Sequence, residues 1–257
     1  MKKRLIHYAR VAAKSGGHDT KRPMLKQVIN RAAPAALVLL LVIVVVLGTS
    51  ASSHAAPSAK DILSNVRMAQ GQQQIEVQGQ LRENATVVPF RLTQSGPVIR
   101  YSFSNPDGAL QLRLGEADSR LEEITREGVD RVTGGEWEQK VRGTAITYED
   151  LALRFLYWPD AKVLGEDYIH TRRVWQLEMT APARQSQYSK GFVWVTQDGG
   201  ALLRLHGFDW NGRLAKRVDV VSAQQIEGRW FLKQMRIEQL GADGKQGVAR
   251  TYRDIKK

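Results

Sequence analysis

The stretch from Tyr188 to Glu238 limits what this chain can become more than any other. It reads Tyr188-Ser189-Lys190-Gly191-Phe192-Val193-Trp194-Val195, then Asp198-Gly199-Gly200, then Ala201-Leu202-Leu203-Arg204-Leu205. Asn211-Gly212 follows, then Val218-Asp219-Val220-Val221, then Glu227-Gly228-Arg229 and Trp230-Phe231-Leu232-Lys233-Gln234-Met235-Arg236-Ile237. Four β-prone runs cut by three glycine-bearing turns describe an antiparallel meander. Asn211-Gly212 fits a two-residue type I′ hairpin, in which both central residues need positive φ.

The same period-two pattern extends toward the N-terminus. Ile75 to Leu81, Val87 to Leu92, Val98 to Phe103 and Leu110 to Leu114 alternate apolar and polar residues, while Leu121 to Thr125 and Arg131-Val132 are weaker strands. Pro89 marks an edge or a bulge, because proline cannot donate to a ladder. One apolar and one wet face per strand is the signature of antiparallel sheets covered on one side. Gly165 to Arg173 reads as a loop or irregular strand, Val174 to Met179 as a strand ended by Pro182, and Val248 to Ile255 as the last strand.

Only two helices interrupt this pattern. Pro57 to Gln70 carries Ile62, Leu63 and Val66 on one side and Ser58 as its cap. Tyr148 to Trp158 is expected as one helix, opened by Thr147 with Asp150 three residues on and stopped by Pro159. On one continuous helix, Leu151, Phe155 and Trp158 share a face through spacings of four and three. This helix falls between the two halves of the strand pattern and is placed to cover their apolar face.

The net charge of +12 suggests a polyanion partner until it is located. Nine Lys or Arg against one Asp lie in residues 1–34, so eight of those charges sit in the leader. The remaining chain carries four, which removes most of the case for nucleic acid. Ala35 to Leu47 is an uncharged apolar run followed by small residues, with Ser53-His54-Ala55 as a cleavage site. Residues 1–55 are therefore expected to be an export leader, with Met1 or Met24 as its start, and residues 56–257 a single periplasmic domain. The competing expectation is an inner-membrane anchor at residues 35–48, although the run falls short of the ~20 residues that span a bilayer comfortably. Cysteine is absent, which excludes disulfides, thiolate metal sites and a lipid-modified N-terminal cysteine.

Catalytic chemistry finds no anchor. His7, His18 and His54 belong to the leader, and His170 and His206 lack metal-ligand spacing. No Gly-x-Ser-x-Gly elbow and no glycine-rich phosphate loop are present. Glu166-Asp167 is an adjacent carboxylate pair of the kind usually just solvated. No enzyme activity, cofactor or metal is expected. The six Trp, in contrast, all lie beyond the leader. Phe192 and Trp194 share one strand face, and Trp175, Leu177 and Met179 share another. As a prior, such aromatics form ordinary core. Two helices for nine or ten strands leave apolar surface under-covered, which favours a cavity for an apolar ligand. Leu151, Phe155, Trp158, Trp175, Phe192 and Trp194 are the candidate cavity residues.

Several of these stretches resemble a known family. Tyr188-Ser189-Lys190, Trp194-Val195, Asp209-Trp210-Asn211-Gly212-Arg213-Leu214 and Ile226-Glu227-Gly228-Arg229-Trp230 look like the outer-membrane lipoprotein-sorting proteins. These are the LolA-like group, in particular its broad branch of uncharacterised exported members. Tyr148-Glu149-Asp150-Leu151 and Leu164-Gly165-Glu166-Asp167 fit the same pattern, so the resemblance covers Tyr148 to Glu238. It implies an α+β fold: a half-open antiparallel β-barrel with helices covering the concave face. LolA itself carries lipoprotein acyl chains in its cavity from an inner-membrane transporter to an outer-membrane receptor. A related fold occurs in envelope-stress regulators. The implied partner is thus a lipoprotein acyl chain or lipid, in a role in outer-membrane lipoprotein sorting. The alternative is an envelope regulatory or scaffold protein that binds a protein partner without lipid transport. No catalytic residue comes with the resemblance.

Overall fold

A computed structural model of the protein describes residues 56–226 and 229–256. The leader, its apolar run and the cleavage site at Ala55 lie outside the described residues, as do Glu227 and Gly228 of the third turn. Among the described residues, no helix is long and apolar enough to cross a membrane.

The chain opens with helix α1 (Ala59–Gly71), whose first turn is capped by Ser58 accepting from the Asp61 amide at 3.2 Å. Six strands follow: β1 (Gln74–Glu83), β2 (Thr86–Ser95), β3 (Val98–Ser104), β4 (Asp107–Leu114), β5 (Ser119–Ile124) and β6 (Val129–Arg131). An irregular stretch, residues 132–159, holds 3-10 helices at Gly134–Glu138, Val141–Gly143 and Arg154–Tyr157 and the short helix α2 (Tyr148–Ala152). Seven more strands complete the chain: β7 (Asp160–Ile169), β8 (Arg172–Thr180), β9 (Lys190–Thr196), β10 (Leu202–Phe208), β11 (Leu214–Ile226), β12 (Arg229–Leu240) and β13 (Gly247–Lys256).

All thirteen strands form one open antiparallel sheet in the order β6-β5-β4-β3-β2-β1-β13-β12-β11-β10-β9-β8-β7. Within each half, neighbours in sequence are neighbours in space, as mostly short connections favour. The two halves join where the first strand pairs with the last, Leu81 opposite Arg253 and Glu83 opposite Thr251. The last strand is therefore central. Its two edges, β6 and β7, are consecutive in sequence and are linked by residues 132–159.

Period-two alternation sends one side of every strand to a common core. Leu81, Phe90, Leu92, Tyr101, Leu112 and Leu121 from the first half meet Leu177, Met179, Val193, Val195, Leu205 and Ile237 from the second. Ile62, Leu63 and Val66 of α1 and Trp137, Tyr148, Phe155 and Leu156 of the linking stretch pack on the same cluster. The expected role of Pro89 is explained locally. Pairing between β2 and β3 runs only from Arg91, so at Pro89 one side of β2 has no neighbour to receive an amide.

Two expectations are corrected, and a third stretch is decided between its two alternatives. The helix expected from Tyr148 to Trp158 ends at Ala152, where Leu153 takes a left-handed conformation (φ 51°, ψ 36°) and a 3-10 turn continues. The i, i+4 and i+3 spacing of Leu151, Phe155 and Trp158 therefore does not lie on one continuous helix. Of the two readings of Gly165 to Arg173, the irregular strand holds and the loop does not, with a register shift between Val163 and Gly165. The stretch contains the end of β7, a tight turn at His170 (φ 53°) and the start of β8. The Asn211-Gly212 turn is not a two-residue hairpin, since Asp209 to Arg213 separate β10 from β11 and Gly212 alone has positive φ (73°). The Asp209 side chain builds this wider turn by accepting from the Asn211 and Arg213 amides, both at 2.9 Å.

A Cβ at Gly212 would meet nothing within 4 Å, so a substitution there is opposed by backbone conformation alone. Gly212→Val is expected to lose about 1–2 kcal/mol in a urea melt. An unchanged midpoint would show that the turn does not need its left-handed residue.

Candidate functional site

The linking stretch 132–159 is held on the core face of the sheet by a buried polar anchor. Thr147 and Asp150 form a reciprocal capping box, the Thr147 amide donating to Asp150 Oδ2 at 2.9 Å and the Asp150 amide to Thr147 Oγ1 at 3.3 Å. Two groups of the sheet then converge on Asp150. The Tyr188 hydroxyl donates to its Oδ1 at 2.5 Å, and Lys216 Nζ, on β11, pairs with its Oδ2. Lys216 and Asp150 are both almost fully buried. Burial, with the nearby Asp150 charge, pushes the Tyr188 phenol well above its usual range, so the hydroxyl keeps the proton it donates. The Tyr188 ring fits because Gly207 lies beneath it: a Cβ there would come within 2.5 Å of the ring.

Further contacts extend this anchor. Gln187 donates its side-chain amide to Thr147 Oγ1 at 2.6 Å and its backbone amide to Glu149 Oε2 at 2.9 Å. The Ala145 amide is shared by Glu83 Oε2 at 2.7 Å and Thr251 Oγ1 at 3.0 Å, on β1 and β13. Arg67 of α1 donates to the Leu156 carbonyl at 2.6 Å and stacks on the Tyr157 ring, which ties α1 to the 3-10 turn. Glu149 is fully buried, and its Oε1 has no hydrogen-bond partner. Burial raises its carboxyl above the ordinary value, against the bonds from Ser186 and Gln187 that favour the charged form.

The six candidate cavity residues divide between the two faces of the sheet. Phe155 and Trp158 are buried in the main core, and Leu151 and Trp175 are half-buried against it. Phe192 and Trp194 lie on the opposite face, in a small cluster with Ile169, Val174 and Leu203. The reason is strand alternation: on β9 the residues facing the core are Val193 and Val195. The outer cluster has its own contacts. Phe192 meets Phe208 edge-on at 5.4 Å, Trp194 meets His206 at 4.9 Å, and Trp194 Nε1 donates to Asp167 Oδ2 at 3.0 Å. Burial lowers His206 below its usual value, with the Arg204 charge acting in the same direction. His170 is in its turn, so neither histidine has a metal-ligand set. Among the described residues, no cluster of three metal-ligating side chains exists.

Sequence reasoning missed the polar part of the core face. Lys216, Tyr188 and Asp150 are far apart in sequence, and only the sheet order brings Lys216 under α2. Arg253 was missed too. It faces the core opposite Leu81, donates to the Tyr101 hydroxyl at 2.7 Å and leaves Nε without a partner. A cleft of about 40 Å³ opens beside α2, lined by Glu123, Asp130, Arg131, Val132, Glu136, Gln139 and Tyr148. It is polar and far below the several hundred Å³ of a typical ligand pocket. The Tyr148 phenol is pushed up to about 12, first by burial and then by Glu123, so it remains a neutral wall of this cleft.

Comparison with known proteins places this architecture. Residues 125–255 match the model of a family described as "Uncharacterized protein". No curated protein sequence matches. The structure is similar to that of a DUF1329 family protein from Desulfovibrio piger, with TM-score 0.58 and 21% identity over 77% of this chain and 90% of that one. It is similar to a LolA superfamily protein from Nitrosomonas europaea, with TM-score 0.58 and 17% identity over 79% and 93% of the two chains. It is also similar to an outer membrane lipoprotein-sorting protein domain from Vibrio parahaemolyticus, with TM-score 0.60 and 17% identity over 77% and 92%. At these identities the likeness is one of fold.

Two measurements test the anchor. Lys216→Met alone strands a buried carboxylate and is expected to cost roughly 3–5 kcal/mol, whereas Lys216→Met with Asp150→Asn, which removes both charges and keeps an acceptor oxygen at position 150, should recover part of that loss. Equal losses for the single and double variants would show that the pair is not the anchor. Glu149 supplies a pH test. A carboxyl whose folded pKa is raised favours folding at low pH, and that contribution is lost as pH rises through the folded pKa. Glu149→Gln should therefore melt higher than the parent at pH 8, with the gap closing as pH falls toward the ordinary value of 4.5. A gap that widens on acidification would reverse the assignment.

Proposed function

Since the chain belongs to the LolA-like family, we propose that it is a non-enzymatic periplasmic protein that binds lipoprotein acyl chains or lipids against the core face of its sheet. Residues 1–55 serve as its export leader, and residues 56–257 form the binding domain. A role in outer-membrane lipoprotein sorting is the specific form of this reading.

The observation that carries it is a set of partly buried apolar side chains packed against the core. Val77, Ile99, Leu151, Trp175, Leu202 and Met235 pack against the buried cluster without being sealed by it. Apolar surface on a covered face that stays reachable is what an acyl chain needs. Each methylene it buries contributes about 0.8 kcal/mol, enough for reversible holding without an ionic contact. Arg253 offers the polar end of such a molecule a donor on the same face.

A half-open barrel with helices over its concave face suits this role and the connectivity. A flat sheet of thirteen strands would be roughly 58 Å wide, at about 4.8 Å per step. The 28 residues from 132 to 159 link its two edges, and the Lys140–Thr147 bridge folds them back on themselves. So short a link favours edges brought close by curvature.

The second reading is an envelope scaffold or regulator that binds a protein partner. The free edge of β7 favours it, since Leu164 and Tyr168 are both exposed there beside unpaired backbone.

Displacement of a fluorescent fatty acid, with mass spectrometry of co-purified lipid, distinguishes the two. The protein is expected to bind the probe. Leu151→Ala with Trp175→Ala should weaken binding several-fold while costing less stability than the roughly 3–5 kcal/mol of Phe155→Ala. No probe binding and no extracted lipid would overturn the lipid reading and leave the protein-partner one.

A further inference from the structure

The face of the sheet turned away from the core carries a repeated electrostatic unit. Cross-strand partners share a face, so the register identifies its members. Arg204 of β10 stands opposite Asp219 of β11, which stands opposite Arg236 of β12. Arg217 of β11 stands opposite Glu238 of β12, which stands opposite Arg250 of β13. Asp219 is held by Arg204 at 2.7 Å and Arg236 at 2.9 Å, and Glu238 by Arg250 at 2.6 Å and Arg217 at 3.9 Å. The neighbouring unit is Asp254 with Arg82 at 2.5 Å.

Charge and exposure are unevenly shared. The two doubly bridged carboxylates are sunk, with side chains 15% and 12% exposed, while their four arginines are 36–55% exposed. Burial opposes charge on Asp219, and the hydrogen bonds from Arg204 and Arg236 outweigh it, so it stays ionised. Each carboxylate needs one guanidinium and has two. The result is a layer of acids beneath a layer of arginines, with net positive charge facing solvent.

We infer that this outer face, over β10 to β13 and β1, docks on an anionic phospholipid bilayer. Charge complementarity selects an anionic partner. The cations of these units are all arginine, whose planar fork fits phosphate oxygens. They are spread over five adjacent strands at about 4.8 Å per strand, a two-dimensional array rather than one convergent cluster. A membrane surface presents phosphates in a matching array. This inference goes beyond the acyl-chain reading, because it uses the opposite face of the sheet and stands whether or not a lipid enters the core side.

The surplus suggests its own test. Arg217→Gln with Arg236→Gln leaves Glu238 paired to Arg250 and Asp219 paired to Arg204. The full chain is compared with this variant by co-sedimentation with phosphatidylcholine vesicles with and without phosphatidylglycerol, so the leader contributes equally to both. An arginine near an anionic surface is worth about five-fold in binding, so the pair should lose roughly thirty-fold on phosphatidylglycerol vesicles and little on phosphatidylcholine. Arg217→Lys with Arg236→Lys keeps the charge and should stay within a few-fold of the parent. If the glutamine variant does not fold, Arg204→Gln with Arg250→Gln removes the same surplus from the other side. A folded variant that binds phosphatidylglycerol vesicles as the parent does would overturn the inference. So would a loss seen only on soluble polyglutamate, which would assign the face to an acidic protein.

Discussion

The pairing of β1 with β13 is the constraint on which the rest of this structure depends. It makes the first and last strands neighbours at the centre of the sheet and leaves β6 and β7 as its two edges. Residues 132–159 must then lead from one edge to the other, and their apolar side chains pack where the sheet presents its core face. Loop-closure entropy opposes a contact between strands so far apart in sequence, yet it grows only slowly with length and is offset here by six paired positions and their side chains. Because the linking stretch is set by the edges, the cover and the ladder between the termini are one arrangement.

The anchor at Asp150 gives that cover its register. Apolar packing alone is non-directional and would let a short, irregular stretch settle in several ways. A carboxylate that accepts from the Thr147 amide, the Tyr188 hydroxyl and Lys216 Nζ fixes one position. Burying the Asp150–Lys216 pair adds little net stability once desolvation is counted, and we assign it to specificity instead. Glu149 beside it is a burial strain with one orphaned oxygen, tolerated because Oε2 is held by the Gln187 amide.

The sheet's two faces divide the chemistry. The core side gathers aliphatic and aromatic groups, with Lys216 paired to Asp150 and Arg253 bonded to Tyr101 among its cations. The outer side carries interleaved carboxylates and arginines and the small Phe192–Trp194 cluster. Aromatic residues thus appear on both sides, and aromatic content by itself does not locate a ligand. What separates the sides is parity along each strand, since Val193 and Val195 turn inward and Phe192 and Trp194 outward.

The sequence by itself determined the strand pattern, the Ser58 and Thr147 caps, and the family. Each rests on local chemistry: alternation of side chains, a cap oxygen meeting an amide three residues on, and turn glycines. Helix length at Tyr148 was less legible, because the left-handed conformation of Leu153, a residue half-buried against the core, leaves no mark in propensity. The turn at Asn211-Gly212 looked like the tightest hairpin until the Asp209 carboxylate took two amides and widened it. Only the tertiary structure decided that the last strand is central and which face each candidate aromatic occupies. It alone placed Lys216 beneath Asp150 and stacked the arginines over Asp219 and Glu238. Those relations join residues that are distant in sequence, and strand order and register, which local preferences do not specify, determine them.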